Sequence, residues 1–407
     1  MRPFTTTIPF QEALRLVVDA AVPIDATERV AIGDADDRVA SRDVIADADV
    51  PPFDRAAMDG YAVVAADTAG ATREAARSLV CVDRVFTGQT SARTLARGEC
   101  IEIATGAPLP AGADAVVMVE DTERPDASSS LGDSIRVLAA VAPGQHVGRR
   151  GADLAAGQTA ITAQQVLTPS RIGALAAAGL THVEVYRRPT VAILSTGNEL
   201  VEPGRPLGPG QIYEINRFTL AAVIRRHGGV PVMLPTAGDT MDDLSRAVEA
   251  ARGHDVIIFS GGSSVGERDL VLDALREHGE VIFHGIAVKP GKPTAFGRIG
   301  PTPVLGMPGN PTSCLSNAYM LLVPFVRKMA RLPAWQPRTI DAPLARRIAS
   351  AAGRHQFYTV RVVNGVVEPA FKGSGDITSM ANADGYIEIG AEVTDVPAGT
   401  SVTVKLF

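Results

Sequence analysis

Between residues 189 and 331, short apolar runs alternate with segments of helical pattern, and this alternation constrains the fold more than any other feature. The apolar runs are rich in β-branched residues and are followed by glycine-containing segments, so they predict buried strands. The predicted strands are Val191–Leu194, Val230–Leu234, Val256–Phe259 and Val304–Met307. Strands that alternate with helices indicate an α/β domain with a parallel-rich sheet and helices on both faces.

Between these strands, the sequence contains residues that typically begin, end or distort helices. Asn216 is predicted to cap one helix, which runs to His227 and is stopped by the pair of glycines that follows. A long helix follows Pro311, and Pro324 should distort it because proline has no backbone N–H to donate.

Each predicted strand is followed by a loop that contains glycine. In an open parallel sheet, ligands bind beyond the carboxyl ends of the strands, so these loops should meet at one edge and form a binding site. The four loops are residues 195–199, 236–239, 260–269 and 308–312.

The loop SGGSSVGERD, at 260–269, has the features of an anion site. Its glycines and serines precede a helix, whose exposed amides and dipole favour a phosphate. It lacks the GK[ST] of a P-loop and the GxGxxG of a dinucleotide site, which disfavours both classes. Asp269, at its end, is either a helix cap or a functional carboxylate, and both interpretations stay open.

The segment KPGKPTAFG, at 289–297, places two lysines between prolines and a glycine. Stiffened lysines suit a phosphate or an oxyanion better than open solvent. Several carboxylates lie in loops without a cluster of His or Cys, a composition that fits Mg²⁺ bound between carboxylates and phosphates. Taken singly, each carboxylate is better explained as a turn residue or a helix cap than as a catalyst. They are Asp54, Asp59, Asp153, Glu199 and Asp239.

Composition excludes several classes of function. A net charge of −6 and a pI near 5.7 argue against a general nucleic-acid or anionic-membrane surface. The sequence shows no signal core and no run of membrane-spanning length. Its three cysteines, Cys81, Cys100 and Cys314, lack CxxC spacing and are expected to be buried and free in a reducing cytoplasm. The histidines His182, His227, His254 and His278 are expected on helix or loop surfaces.

At 407 residues the chain is too long for one core. Short apolar runs between Gly/Pro turns predict an inserted, mostly β domain, and alternating stretches near the end predict a small C-terminal β-barrel. The predicted domains are a discontinuous helical and linker domain (1–45 and 149–185), the inserted β domain (46–148), the α/β domain (186–332) and the barrel (333–407).

Eight motifs occur in the order and spacing of one known family. They are PPFDRAAMDGYA, TGAPLPAGADAVV, RRGADL, STGNEL, GQIYEIN, SGGSSVGERD, KPGKPTAFG and MPGNPTS. Together they span essentially the whole chain, and the sequence resembles the MoeA/gephyrin E-domain family. The resemblance implies that the α/β domain binds molybdopterin and that the protein is a homodimer with its active site in the cleft between subunits.

The implied reaction is Mg²⁺-dependent. Molybdate is inserted into adenylylated molybdopterin and AMP is released. A molybdopterin adenylyltransferase and molybdoenzyme maturation proteins are the implied transient partners, with no nucleic acid and no membrane involved.

The resemblance also implies roles for individual residues. The catalytic set is Asp59, Thr105, Glu199, Lys289 and Lys292. Metal ligands would be Asp239, Asp269 and Asp153. The substrate-binding set is Ser195, Gly197, Gly261, Gly262, Ser263, Ser264, Gly266, Pro308, Gly309, Asn310, Arg149, Arg150, Arg354 and Ser374, with Ser379 as an alternative to Ser374.

Some positions depart from the family pattern. Asn198 replaces the usual aspartate beside Glu199, which predicts altered metal affinity more than lost activity, and Ser263 and Leu270 are also unusual. Two alternative functions therefore stay open. One is a diverged paralogue that acts as a molybdopterin-binding scaffold; the other is a nucleotide pyrophosphate hydrolase on the same α/β domain.

Overall fold

The computed structural model describes residues 7–124, 130–238, 240–261 and 270–407. The chain divides into two compact units. The larger unit consists of Met1–Glu28, Asp37–Val39 and Val185–Phe407, and the smaller unit consists of Arg29–Asp36 and Ala40–Glu184. No helix in the described ranges is long and apolar enough to cross a membrane. The division into four domains and the cytoplasmic location stay predictions.

The helices are α1 (Phe10–Asp19), α2 (Pro169–Ala177), α3 (Asn216–Arg226), α4 (Met241–Ala251), α5 (Leu270–His278), α6 (Pro311–Asn317), α7 (Val323–Met329) and α8 (Thr378–Ala381). The strands up to residue 186 are β1 (Thr27–Ala31), β2 (Val44–Ile45), β3 (Arg55–Ala56), β4 (Gly60–Val63), β5 (Arg77–Val85), β6 (Glu99–Ile103), β7 (Ala115–Met118), β8 (Thr122–Glu123), β9 (Ser134–Val137), β10 (Val147–Gly148), β11 (Thr159–Ile161) and β12 (His182–Tyr186). The later strands are β13 (Thr190–Ser195), β14 (Leu200–Val201), β15 (Ile212–Tyr213), β16 (Val230–Met233), β17 (Val256–Ser260), β18 (Glu280–His284), β19 (Val288–Lys289), β20 (Ala295–Ile299), β21 (Thr302–Met307), β22 (Thr339–Pro343), β23 (Ile348–Ala349), β24 (His355–Val363), β25 (Val366–Pro369), β26 (Gly385–Ile389), β27 (Asp395–Val396) and β28 (Ser401–Leu406).

The predicted parallel-rich sheet is confirmed in the larger unit. Its strand order is β16-β13-β17-β21-β20-β18. The first four strands are parallel, whereas β20 pairs antiparallel with β21 and β18 pairs antiparallel with β20. The sequence pattern did not predict this antiparallel edge.

Helices cover both faces of the sheet, as predicted. On one face α1, α3, α6 and α7 pack into a core that includes Ile193 and Ile258. On the other face α4 and α5 pack into a second core that includes Leu194 and Ile257. Neighbouring residues of one strand thus enter opposite cores, which explains why these strands are apolar throughout instead of alternating.

The C-terminal part of the larger unit forms the predicted small barrel. Along its sheet the strand order is β24-β26-β28-β22, and β25 also pairs with β24. An isolated bridge between Leu344, just after β22, and Val367 of β25 connects the two ends of this order. β19 of the α/β region pairs in parallel with the start of β24, so the two regions share a ladder.

The smaller unit contains the predicted mostly β region. Its main sheet has the order β7-β4-β6-β5-β9-β8, and separate cores pack on its two faces. Cys81 and Cys100, partners in the β5–β6 ladder, are buried and free, as is Cys314 in the larger unit. The prediction for the cysteines is confirmed.

Two local predictions need correction. Asn216 is the first residue of α3 rather than its cap, which is Ile215. His227 is 3% exposed instead of lying at the surface, because it packs edge-on against Trp335, and burial lowers its pKa to about 4. The distortion expected at Pro324 is a π-helical stretch, Ala318–Leu322, which ends just before α7.

Candidate functional site

A cleft of about 1090 Å³ lies in the larger unit, beyond the carboxyl ends of β13, β17 and β21. The ends of these strands are adjacent because the strands are neighbours in the sheet. The barrel also contributes to the lining, chiefly through residues 371–375. The predicted site residues that line this cleft are Glu199, Gly261, Lys289, Lys292, Pro308, Gly309, Asn310, Arg354 and Ser374.

The two lysines flank a short backbone segment whose centre, Gly291, is held by hydrogen bonds. Asn317, fully buried at the end of α6, donates a hydrogen bond from Nδ2 to the Gly291 carbonyl at 2.9 Å. The Thr294 hydroxyl donates to the same carbonyl at 2.8 Å. Lys289 and Lys292 therefore flank a fixed point of the backbone, which limits the conformational freedom lost when they bind an anion.

The cleft is rich in cations. Arg354 and Lys372, both from the barrel, join the two lysines among its lining residues. The carboxylates that line it within the described residues are Glu199 and Glu214. Since Glu214 is engaged by an arginine, the cleft offers a positive surface suited to a phosphate or an oxyanion.

Glu199 is an exposed carboxylate that folds back on its own loop. A Cβ on Gly197 would lie 2.5 Å from Glu199 Oε2, and Gly197 has a φ of 143°. Any side chain at position 197 would therefore displace the carboxylate. Gly197 itself is buried and does not line the cleft; it supports Glu199.

Ser195, which is predicted to bind substrate, does not line the cleft. β13 continues through Ser195, whose hydroxyl is buried and donates to Glu214 Oε2 at 3.1 Å. Glu214 also accepts from the backbone N–H of Arg217 at 3.1 Å, and its carboxylate lies 3.3 Å from the guanidinium Nε. The residue that reaches the cleft is the next one, Thr196.

Asn310 and Ser374 lie together where the barrel meets the strand ends. Asn310 Nδ2 donates to Ser374 Oγ at 3.0 Å, and the backbone N–H of Thr312 donates to the Ser374 carbonyl at 3.0 Å. Ser379, the alternative, is fully buried and its Oγ accepts from the Lys372 backbone N–H at 2.9 Å. Of the two serines, Ser374 lines the cleft and Ser379 supports the segment that carries Lys372.

In the smaller unit, Asp59 and Thr105 form a direct pair. Asp59 Oδ1 accepts from the Thr105 backbone N–H at 2.7 Å and from its hydroxyl at 3.0 Å. These hydrogen bonds, the backbone one first, hold the pKa of Asp59 below its usual value. The pair presents a fixed, ionised carboxylate at the surface.

Arg149 and Arg150, predicted to bind substrate, are engaged by aspartates of the same unit. Arg149 Nη1 lies 2.8 Å from Asp54 Oδ2, and Arg150 Nε lies 2.6 Å from Asp49 Oδ2. Hydrogen bonds from backbone N–H groups, with those from the arginines, hold the pKa of both aspartates low. Much of the arginine charge is thus neutralised locally. Asp153, the predicted metal ligand nearby, is exposed.

Six predicted residues lie outside the described ranges: Gly262, Ser263, Ser264, Gly266, Asp239 and Asp269. Within those ranges, no group of three or more His, Cys, Asp or Glu side chains is arranged to hold a metal ion. The metal site therefore stays a prediction.

Several residues of the site escaped the sequence analysis. Thr196, Glu214 and Asn216 lie inside the quoted motifs but had no role assigned in the site, and Lys372 and Asn317 lie outside the motifs. A charged residue such as Glu214 beside an apolar strand was the available signal, because burying it requires a partner.

A three-layer α/β domain with a cationic cleft at its strand ends is typical of α/β proteins that bind an anionic ligand there. Residues 192–328 match the family model described as "Probable molybdopterin binding domain". Residues 8–179 match "MoeA N-terminal region (domain I and II)", and residues 341–407 match "MoeA C-terminal region (domain IV)". The chain belongs to the MoeA family.

Two curated proteins and a solved structure are similar to this chain along nearly its whole length. A Mycobacterium tuberculosis protein named molybdopterin molybdenumtransferase 2 is 36% identical over 404 residues, covering 97% of this chain and 96% of its own. A Haemophilus influenzae molybdopterin molybdenumtransferase is 33% identical over 391 residues, 94% of each chain. The crystal structure of a molybdopterin biosynthesis MoeA protein from Pyrococcus horikoshii OT3 aligns with a TM-score of 0.81 and 30% identity, over 99% of this chain and 100% of that one.

Proposed function

We propose that the chain is a molybdopterin molybdenumtransferase of molybdenum cofactor biosynthesis. It takes adenylylated molybdopterin and molybdate, releases AMP, and inserts molybdenum into the pterin dithiolene. The observation that carries the proposal is the cationic cleft at the strand ends of a molybdopterin-binding domain. Relatives that bear this enzyme name match along nearly the whole chain.

The chain's own residues suit the anionic parts of these substrates. Lys289, Lys292 and Arg354 bind the phosphates and molybdate, and they stabilise the charge that develops on the phosphate of the departing AMP. Asn317 holds the lysine loop, so this positive charge is in place before the anhydride bond breaks. Gly309, Asn310 and Ser374 offer polar contacts at the junction with the barrel.

Mg²⁺ is proposed as the cofactor, and it would neutralise the pyrophosphate when bound. Glu199 supplies one exposed carboxylate in the cleft, which alone is not a metal site. Asp239 and Asp269 are the proposed further ligands from the adjoining loops, and Asp153 is a candidate from the smaller unit. This assignment rests on the family resemblance.

A homodimer is part of the proposal. In it, the Asp59–Thr105 pair would complete the cleft of a partner subunit. The exposed, ionised carboxylate of this pair supports a role in contacting a ligand, since neither group is needed to stabilise a core.

Incubation of purified protein with adenylylated molybdopterin, molybdate and Mg²⁺ tests the function. We expect AMP release together with activation of an added apo-molybdoenzyme. AMP release without activation would indicate a pyrophosphate hydrolase, and pterin binding without AMP release would indicate a scaffold. Asp269→Asn should abolish AMP release and leave thermal unfolding unchanged; retained turnover would reduce Asp269 to a helix cap.

A further inference from the structure

The floor of the cleft contains two buried polar side chains with unused hydrogen-bonding capacity. Thr196 is 2% exposed and Asn216 is 6% exposed, yet both line the cleft. Within the part of the chain that the structure describes, Thr196 Oγ1 and Asn216 Oδ1 have no hydrogen-bond partner. Buried polar atoms are nearly always paired, so two unpaired ones on a cleft floor point to a ligand.

The orientation of Asn216 defines what it can bind. Its Nδ2 donates to the Gly309 carbonyl at 2.8 Å, and a carbonyl can only accept. The amide nitrogen is therefore held toward Gly309, and the free atom is the acceptor Oδ1. A ligand group that faces Oδ1 must carry a hydrogen-bond donor, which a deprotonated phosphate or molybdate oxygen does not.

Thr196 and Asn216 are joined by a strip of glycine backbone. A Cβ on Gly261 would lie 3.6 Å from Thr196 Oγ1 and 2.7 Å from the Thr196 carbonyl, so position 261 admits no side chain. A Cβ on Gly309, in turn, would lie 3.4 Å from the Gly261 Cα. The strip runs from Thr196 through the two glycines to Asn216. Among the described residues, the two positions between Thr196 and Asn216 in this strip are glycines, which leave room for a flat ring.

Charge is distributed unevenly around the cleft. Lys289 ends β19 and Lys292 lies in the loop after it, whereas Arg354 and Lys372 come from the barrel. The floor strip itself is neutral. An anionic ligand group is attracted to the cationic walls, and a neutral ring with N–H groups suits the floor.

We propose that Thr196 and Asn216 bind the N–H-bearing edge of a planar heterocycle in the substrate. Asn216 Oδ1 accepts a hydrogen bond from a ring amide or an exocyclic amino group, and Thr196 Oγ1 makes a second hydrogen bond. The inference rests on the proposed function, whose substrate contains two such heterocycles, a pterin and an adenine. Both residues determine which heterocycle is held and take no part in cleaving the anhydride.

The variants Thr196→Val and Asn216→Ala test the inference. Thr196→Val is nearly isosteric and removes only the hydroxyl. Thr359→Val is the matched control, because Thr359 is also buried and unpartnered among the described residues but lies in β24, away from the cleft lining. Thermal unfolding of each variant shows whether it is folded; if Asn216→Ala is not, Thr196→Val carries the test.

Calorimetric titrations with molybdopterin, AMP and inorganic pyrophosphate separate the parts of the substrate. We expect each floor variant to weaken one heterocyclic ligand about 3- to 10-fold, the effect of one lost hydrogen bond, with pyrophosphate binding and the control unchanged. Weakened molybdopterin assigns the floor to the pterin, and weakened AMP assigns it to adenine. Unchanged binding of both, or equal weakening of all three ligands, overturns the inference.

A parallel assay of the wild-type protein keeps the two proposals distinct. If it releases AMP and transfers molybdenum while the floor variants bind both heterocycles normally, the floor inference fails and the proposed function stands. If it releases no AMP but the floor variants lose heterocycle affinity, the function fails and the floor inference stands.

Discussion

Glu214→Gln tests whether a buried ion pair holds the base of the cleft. Arg217 and Glu214 have side chains that are 7% and 3% exposed, and their closest nitrogen and oxygen are 3.3 Å apart. At that distance two unit charges attract by about 5 kcal/mol at an effective dielectric constant near 20. Removing one member of a buried pair typically costs about 3–5 kcal/mol, because the other charge stays buried. We expect Glu214→Gln to lower the free energy of unfolding by about 3 kcal/mol, since the glutamine side-chain oxygen can still accept a hydrogen bond from the Arg217 backbone N–H.

The same arginine provides the control. Arg217 also pairs with Glu202, whose side chain is 52% exposed, so Glu202→Gln should cost less than about 1 kcal/mol. The assay is urea unfolding followed by the fluorescence of Trp335, the single tryptophan, which packs against the core of the larger unit. If Glu214→Gln costs no more than Glu202→Gln, the burial argument is refuted.

Three further predictions concern the barrel and the lysine loop. His355, 3.3 Å from Glu388, is the largest of the causes that hold the pKa of that carboxylate at about 2. Ionised Glu388 therefore stabilises the fold above its unfolded pKa of about 4.5, and this contribution is lost as pH falls toward 2. Glu388→Gln should lower the free energy of unfolding by up to about 3 kcal/mol at pH 7. In urea titrations this difference from the wild-type protein should shrink between pH 5 and pH 3, and a difference independent of pH would contradict the prediction. Lys289→Gln should weaken pyrophosphate binding about tenfold in calorimetry at low salt. Arg298→Gln, which removes the charge of the exposed residue of the otherwise buried β20, should not weaken it; equal effects would remove the lysine from the site. Asn317→Ala should release the lysine loop and lower the rate of AMP release more than the affinity for substrate; unchanged kinetics would show that the loop is held without it.

The sequence predicts the α/β sheet well because the parallel strands β13, β17 and β21 are buried on both faces. Val256–Ser260, for example, is buried at every position, and such a continuous β-branched run has few other interpretations. The order of strands and loops then predicts where the ligand cleft forms. Glu199, Lys289 and Gly309 line that cleft, as their positions after strands suggest.

What sequence could not predict depends on contacts between distant segments. β18 and β20 form an antiparallel edge and lack the long apolar runs of the central strands. Ser195 differs from Thr196 by one position, and a one-residue extension of β13 reverses which of them reaches the cleft. The burial of His227 depends on Trp335, far away in the chain.

The ladder between β19 and β24 makes the barrel part of the catalytic framework. Lys289 is paired with Gln356 across it, so a strand that belongs to the barrel fixes the backbone of a proposed catalytic residue. Asn310 and Ser374 join the same two regions at a second point. A barrel transplanted from another family member must therefore reproduce both joints, and chimaeras divided between residues 332 and 339 test how far this region can be exchanged as a module.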